Sequence, residues 1–342
     1  MHLTIREHVS LAPLTTLGIG GPARYYIEAA TVADLREAVA FAGARSLPVF
    51  ILGGGSNLLV SDVGFPGVVI RVQITGVHAK PQGECVVLRA GAGEAWDGFV
   101  AYCVAHGYWG LENLSLIPGT VGAAPVQNIG AYGREVREVI ESVVVFDPLS
   151  AAERTLTNAA CLFGYRDSVF KHGDAKQLIV MGVSFKLSLT PRPELAYKDL
   201  ATRFSTPGVA SPSLAEIRDA VIAIRTAKFP DLSRTGTAGS FWKNPVVTIA
   251  TLESLRARFP EMPSYPVDAT HAKLPLAWIL DVVLKAKGYA KGNVALFHQQ
   301  PLVLVAGRGA TCREITAFAA EIEARVAEQT GIMIEKEVLV VA

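Results

Sequence analysis

The sequence predicts an α+β protein of two or three domains, and three observations carry that reading. At about 150 residues per domain, the 342 residues suffice for more than one compact unit. Half of the residues are hydrophobic, 18% are charged and 31 are glycine, the composition of a compact enzyme and not of disordered or fibrous material. Segments of helical period are interleaved with short apolar strands, and the chain closes on an alternating one.

The first helix is expected at Thr31, with Asp34 as its capping partner and Val32, Leu35, Val39 and Ala42 as its apolar stripe. A short buried strand follows at Val49 to Leu52, and Leu58, Leu59 and Val60 form another. A second helix carries Trp96, Phe99, Val100, Cys103 and Val104 at helical spacing and stops at Gly107, which suits the left-handed C-terminal position. That aromatic stripe reads as core. Ser213 and Glu216 make a capping box for a helix that buries Ile217, Val221 and Ile224, and Pro230 ends the segment. Further on, Pro275 opens a helix, and Thr311 with Glu314 caps a long one built on Ile315, Phe318, Ile322 and Val326, which Gly331 stops. The terminal stretch Ile332 to Val341 alternates as one strand, with Ile334, Lys336 and Val338 on one face and Met333, Glu335, Glu337 and Leu339 on the other.

The net charge of +1 points away from a polyanionic partner, so no nucleic-acid binding is expected. No apolar stretch approaches the roughly 18 residues that span a bilayer, and nothing near Met1 resembles a leader, so the expectation is a cytoplasmic protein without membrane insertion. The four cysteines, Cys85, Cys103, Cys161 and Cys312, are scattered and lack histidine partners at ligand spacing, so they read as reduced core residues and no metal is expected.

Two glycine-rich segments stand out. In Val49-Phe-Ile-Leu-Gly53-Gly54-Gly55-Ser56-Asn57 a strand runs into a loop whose amides are open to wrap a diphosphate, or which is simply a tight turn between strands. It is neither a Rossmann fingerprint nor a Walker loop, because a strand follows and no Lys-Ser/Thr does. The segment from Gly110 through Pro118-Gly119-Thr-Val-Gly122, Gln127-Asn128-Ile-Gly130 and Ala-Tyr132-Gly133 is poor in charge and rich in small residues. Its backbone can approach a flat ring while the amides of Gln127 and Asn128 direct hydrogen bonds to it, or it is a folded loop without a ligand.

Together with Thr15-Thr-Leu-Gly18-Ile-Gly20-Gly21, these segments closely resemble the FAD-binding half of the UDP-N-acetylenolpyruvoylglucosamine reductases, within the wider group of flavoproteins resembling vanillyl-alcohol oxidase. The likeness continues through Phe163-Gly-Tyr-Arg166-Asp-Ser168, Gly239-Ser240-Phe-Trp-Lys243-Asn244-Pro245 and Glu335-Lys-Glu337-Val, and so covers nearly the whole chain. It departs in Thr15, where Asn is frequent, and Trp242, where Phe is usual. Number and order of motifs, not any single one, carry the resemblance. It implies FAD-binding subdomains at 1–66 and 67–212 and an α/β substrate-binding domain at 213–342. The residues implied to hold FAD without a covalent bond are Gly53, Gly54, Gly55, Ser56, Asn57, Pro118, Gly119, Gly122, Gln127, Asn128, Gly130 and Tyr132. Leu195-Ala-Tyr197-Lys198-Asp199 resembles the loop of the family's first subtype, whose tyrosine folds over the substrate diphosphate.

The activity implied is reduction of UDP-N-acetylglucosamine enolpyruvate to UDP-N-acetylmuramate in peptidoglycan precursor synthesis, with NADPH as co-substrate and the enzyme a monomer. Arg166 is the implied stabiliser of the substrate carboxylate, Ser240 the proton donor to carbon and Glu337 the acid that stabilises the enol, with Glu335 its rival. Tyr197, Lys228 and Asn244 are implied to hold substrate or nicotinamide-nucleotide phosphates. Without the family, Arg166 would be a surface arginine paired with an acid, Ser240 a turn serine, Glu337 a solubilising acid and Lys228 a partner of a helix dipole. A serine needs help as an acid, for which Lys243 and water are candidates. The competing functions are an FAD-dependent oxidase of a sugar or hydroxy acid and a non-catalytic nucleotide-binding protein.

Overall fold

The computed structural model describes residues 3–204 and 211–342, and the chain divides into two compact units. The first comprises Met1–Val9, Ala23–Gly55 and Pro66–Thr226, and the second Ser10–Pro22, Ser56–Phe65 and Ala227–Ala342. Two excursions of the N-terminal chain thus belong to the second unit.

Two sheets build the first unit. One has the strand order Ile5–Ser10, Pro22–Ala29, Phe65–Val72, Val49–Leu52, and the other is antiparallel in the order Ala152–Thr157, Ile140–Asp147, Ile179–Ser188, Cys85–Gly91, Val77–Gln82. The central strand Ile179–Ser188 is buried at all but one position, which is why its sequence is almost continuously apolar. Helix Val32–Gly43 begins with the expected box, Thr31 accepting from the amide of Asp34 and the Asp34 carboxylate from that of Thr31. Helix Trp96–Ala105 buries Trp96, Phe99, Val100 and Cys103, and the ring of Phe99 lies tilted against that of Phe185 of the central strand, centroids 5.0 Å apart. Gly107, at φ +74°, follows that helix in the left-handed conformation expected of it. Helix Leu214–Lys228 opens on the Ser213–Glu216 box and is held by a two-pronged ion pair, Arg218 donating to both carboxylate oxygens of Asp97 at 2.7 and 2.9 Å. Strand Val49–Leu52 has the expected bounds but is not buried: it is the edge of its sheet, and Val49 is 39% exposed.

The second unit centres on the antiparallel sheet Gly236–Ser240, Val303–Ala306, Val294–Leu296, Ala290–Lys291, packed with helix Cys312–Thr330 through Ile315, Phe318, Ile322 and Val326. The amides of this helix's first turn are all accounted for. Thr311 accepts from Glu314, the Glu314 carboxylate accepts from Thr311, and the carboxylate of Asp62, distant in sequence, accepts from Cys312 and Arg313 at 2.7 and 3.0 Å. Gly331 ends the helix at φ +73°. Leu58–Val60 pairs in parallel with Leu339–Val341.

The terminal segment corrects the expectation of one strand from Ile332 to Val341. Only Leu339–Val341 is strand, and alternation fails from Glu337 onward. The reason is a change of partner. The carbonyl of Glu335 receives the amide of Lys243, the amide of Glu337 goes to Phe241, and that of Leu339 goes to Asn57. A chain handed from one neighbour to another cannot keep a single pleat.

Because Asp62 closes two amides of the longest helix from outside it, Asp62→Ala should lower unfolding stability by about 1–2 kcal/mol, with Asp62→Asn losing less. Urea denaturation followed by far-UV circular dichroism measures both; an unchanged midpoint for the alanine variant would show that water replaces the carboxylate without cost.

Candidate active site

In the first unit the two glycine-rich segments lie backbone to backbone. A β-carbon on Gly54 would stand 2.5 Å from Cα of Gly119, and one on Gly122 would stand 2.5 Å from Cβ of Ala92. Neither distance is tolerable, so these glycines are required by close approach as well as by any ligand. Gly53 is less crowded, its β-carbon position lying 3.0 Å from Thr120 Oγ1.

The second segment is stitched to the loop that carries Arg166. Ser168 Oγ donates to the Val126 carbonyl at 2.5 Å, and Asn128 Nδ2 donates to the carbonyl of Gly164 at 2.9 Å and to Glu135 Oε2 at 3.1 Å. Asn128 Oδ1 in turn accepts from the amide of Arg137. Asn128 is completely buried, and its amide holds the loop together through these bonds. Gln127 is half-buried beside it.

Arg166 Nη2 donates to the Gly130 carbonyl at 2.8 Å, and Lys171 Nζ donates to the carbonyl of Arg166. The guanidinium is therefore placed by the segment 110–133 itself. Leu116, Asn128, Tyr132 and Arg166 all have positive φ, between 46° and 57°. Non-glycine residues held there cost about 1–3 kcal/mol each and concentrate at functional sites. Tyr132 with Gly133, at φ 49° and 87°, makes the turn between the two-residue strands Gly130–Ala131 and Arg134–Glu135. Burial pushes the Tyr132 hydroxyl up to about 12, against the opposing pull of Arg225, so the phenol is neutral. The ring of Tyr197 stands edge-on to it at 5.2 Å, and Tyr197 is 42% exposed.

In the second unit, Ser240 ends a strand broken by a bulge: its pairing slips between Thr237 and Ser240. Thr237 Oγ1 donates to the Leu304 carbonyl at 2.7 Å and accepts from the amide of Gly239, which sits at φ +77°. Such a bulge re-aims the side chain that follows it. Next to it, the amide of Glu337 donates to the carbonyl of Phe241, and Asn57 Nδ2 donates to the carbonyl of Glu337 at 3.0 Å. The structure thus brings Ser240 and Glu337 onto adjacent extended segments. It separates the two rival acids as well: Glu335 is three-quarters exposed and accepts from Lys243 Nζ at 3.0 Å, whereas Glu337 is half-buried.

Two expected phosphate-binding residues have local bonds or places. Asn244 Oδ1 accepts from the amide of Leu276, where a short helix starts, and Lys228 closes the helix Leu214–Lys228. The hold of Asn57 on Glu337 went unread in the sequence, because a pairing across that separation leaves no local signal. No group of histidine, cysteine or acidic side chains that could hold a metal occurs among the described residues.

Residues 23–152 match the model of an FAD binding domain, and residues 231–341 match that of the UDP-N-acetylenolpyruvoylglucosamine reductase C-terminal domain. The two matched regions and this site define a flavin-dependent oxidoreductase. Whole-chain relatives make the assignment specific. The UDP-N-acetylenolpyruvoylglucosamine reductase of Chromobacterium violaceum is 41% identical, over 99% of this chain and all of its own. That of Pseudomonas aeruginosa is also 41% identical, over 98% of this chain and 99% of its own. The reductase of the same name from Thermus caldophilus, 24% identical, has the same fold over the full length of both chains, with a TM-score of 0.69. This chain belongs to the UDP-N-acetylenolpyruvoylglucosamine reductase family. The region matched as an FAD binding domain contains both glycine-rich segments, and they approach so closely that a single methyl group at Gly54 has no room beside Gly119.

Gly54→Ala should therefore yield protein with little bound flavin and a lowered melting temperature, read from the ratio of visible to ultraviolet absorbance and from a thermal scan. Full flavin content in a stable variant would mean that the loops part at no cost.

Proposed function

We propose that Arg166, Ser240 and Glu337 carry the reduction of UDP-N-acetylglucosamine enolpyruvate to UDP-N-acetylmuramate with NADPH, and that Tyr197, Lys228 and Asn244 hold the nucleotide phosphates. The observation that supports this most is the bulge that presents Ser240 beside the doubly anchored backbone of Glu337. The reaction draws on NADPH and a nucleotide sugar, so we place the enzyme in the cytoplasm. Among the described residues no helix is long and apolar enough to cross a membrane.

FAD, when bound, supplies the two-electron reduction that links NADPH to the enolpyruvyl double bond. The chain's own task is to manage charge and protons. As the double bond is reduced, negative charge grows on the carbon beside the substrate carboxylate. Arg166 stabilises that charge with a permanently cationic group whose position is fixed in advance by the Gly130 carbonyl, so little reorganisation is needed. Ser240 delivers the proton to carbon. Glu337, in its protonated form, donates a hydrogen bond to the enol oxygen and disperses the same charge. Lys243 is paired with an exposed acid, an interaction worth about 0–1 kcal/mol, and so stays available to assist Ser240.

FAD is held without a covalent bond, since no histidine or cysteine lies within 49–57 or 110–133. Acid precipitation should release the colour to the supernatant; colour retained in the pellet contradicts this. Glu337→Gln should lower turnover by about 10²-fold or more, while Glu335→Gln loses no more than about fivefold, the worth of an exposed ion pair. Comparable losses in the two steady-state assays would put the acid at the wrong position.

The decisive variant is Ser240→Ala. Stopped-flow traces should show NADPH bleaching the flavin at the native rate and the enolpyruvyl substrate restoring its colour about 10²–10⁴-fold more slowly, the usual contribution of a positioned general acid. Equal slowing of both half-reactions would reduce Ser240 to shaping the site, and no slowing would move the proton donor elsewhere.

A further inference from the structure

Asn113 lies in the short turn Glu112–Leu114 and is completely buried. Its Nδ2 donates to the carbonyl of Tyr132 at 2.7 Å and to the carbonyl of Glu194 at 2.9 Å. Both N–H groups of one carboxamide thus bridge two segments far apart in sequence. Its Oδ1 is buried and has no hydrogen-bond partner among the described residues. An acceptor left unsatisfied in the interior is a cost, so what fixes this side chain is its pair of donors. From Glu194 the chain runs directly to Tyr197. Glu194 Oε1 accepts from the amide of Ala196, and the carbonyl of Tyr197 accepts from the amide of Ala201 in the helix Lys198–Phe204. At the other end of the bridge, the Tyr132 ring meets the edge of Tyr197.

We propose that Asn113 is a positioning residue that ties the flavin-side turn at Tyr132 to the segment carrying Tyr197, and so sets where Tyr197 meets the substrate. The inference rests on the reading that Tyr197 covers the substrate diphosphate. No other side chain of this size does the same. Aspartate offers acceptors to two carbonyls, serine offers one donor on a shorter stem, and leucine offers none.

The test compares Asn113→Ser and the isosteric Asn113→Asp with Tyr197→Ala, all as full-length flavoprotein. In the serine variant, KM for UDP-N-acetylglucosamine enolpyruvate should rise about tenfold, the worth of roughly one hydrogen bond, while flavin content and the rate of reduction by NADPH stay native. Hydrogen exchange of the peptide spanning 190–198 should accelerate. In the aspartate variant KM should climb as pH rises, because only the protonated acid donates, and this variant carries the test if the serine variant does not fold. Unchanged exchange overturns the tether. Faster exchange with a native KM, where Tyr197→Ala raises KM, overturns positioning by Asn113 and leaves the role of Tyr197 standing. A native KM in Tyr197→Ala overturns that role instead.

Discussion

Backbone meeting backbone at Gly54 and Gly119 is the constraint from which the flavin side of the molecule is built. With no side chain on either residue, the loop after strand Val49–Leu52 and the long segment 110–133 can lie in contact. The rest of that unit serves to keep the second segment in place. Asn128 and Ser168 sew it to the Arg166 loop, Asn113 sews it to the segment before Tyr197, and the Asp97–Arg218 pair holds a helix beside the amide of Leu116, which also donates to Asp97. Most of these bonds end on main-chain carbonyls or amides, so they fix backbone positions directly. The positive φ angles at Leu116, Asn128, Tyr132 and Arg166 are sustained by that network.

In the second unit Ser240 and Glu337 stand on adjacent extended segments, and both segments are irregular. A bulge built on Thr237 shifts the pairing before Ser240, which regains a partner in Val303, and a terminal segment passed from Phe241 to Asn57 breaks its own alternation at Glu337. Neither device adds stability by itself. Both cost ladder hydrogen bonds that a regular strand would keep, and the helix Cys312–Thr330, with every amide of its first turn capped, supplies a rigid element beneath them.

Elements specified by local chemistry were legible in the sequence. The three capping boxes at Thr31, Ser213 and Thr311, the stops at Gly107 and Gly331, and the cores of the corresponding helices all follow from residues within a few positions of one another. Legibility ended where partners are distant. Nothing near Val49 says that its strand lies at an edge, and nothing near Glu337 says that Phe241 and Asn57 will share its backbone. An amide in a small-residue loop suits a ligand contact or a structural tie alike, and the three internal hydrogen bonds of the Asn128 side chain, to distant partners, left no local signal. The glycines of segments 53–55 and 118–122 were noticed for their amides, whereas the space they leave for one another is equally a reason for them.

The central claim is that this chain passes electrons from NADPH to an enolpyruvyl sugar nucleotide and not from a sugar to oxygen. Anaerobic visible spectra of the purified flavoprotein test it most directly, taken before and after NADPH and again after UDP-N-acetylglucosamine enolpyruvate. The account predicts that NADPH bleaches the flavin band and that the sugar nucleotide, without air, restores it in stoichiometric amount. A band that recovers only on admission of oxygen, or that NADPH leaves untouched, would contradict it.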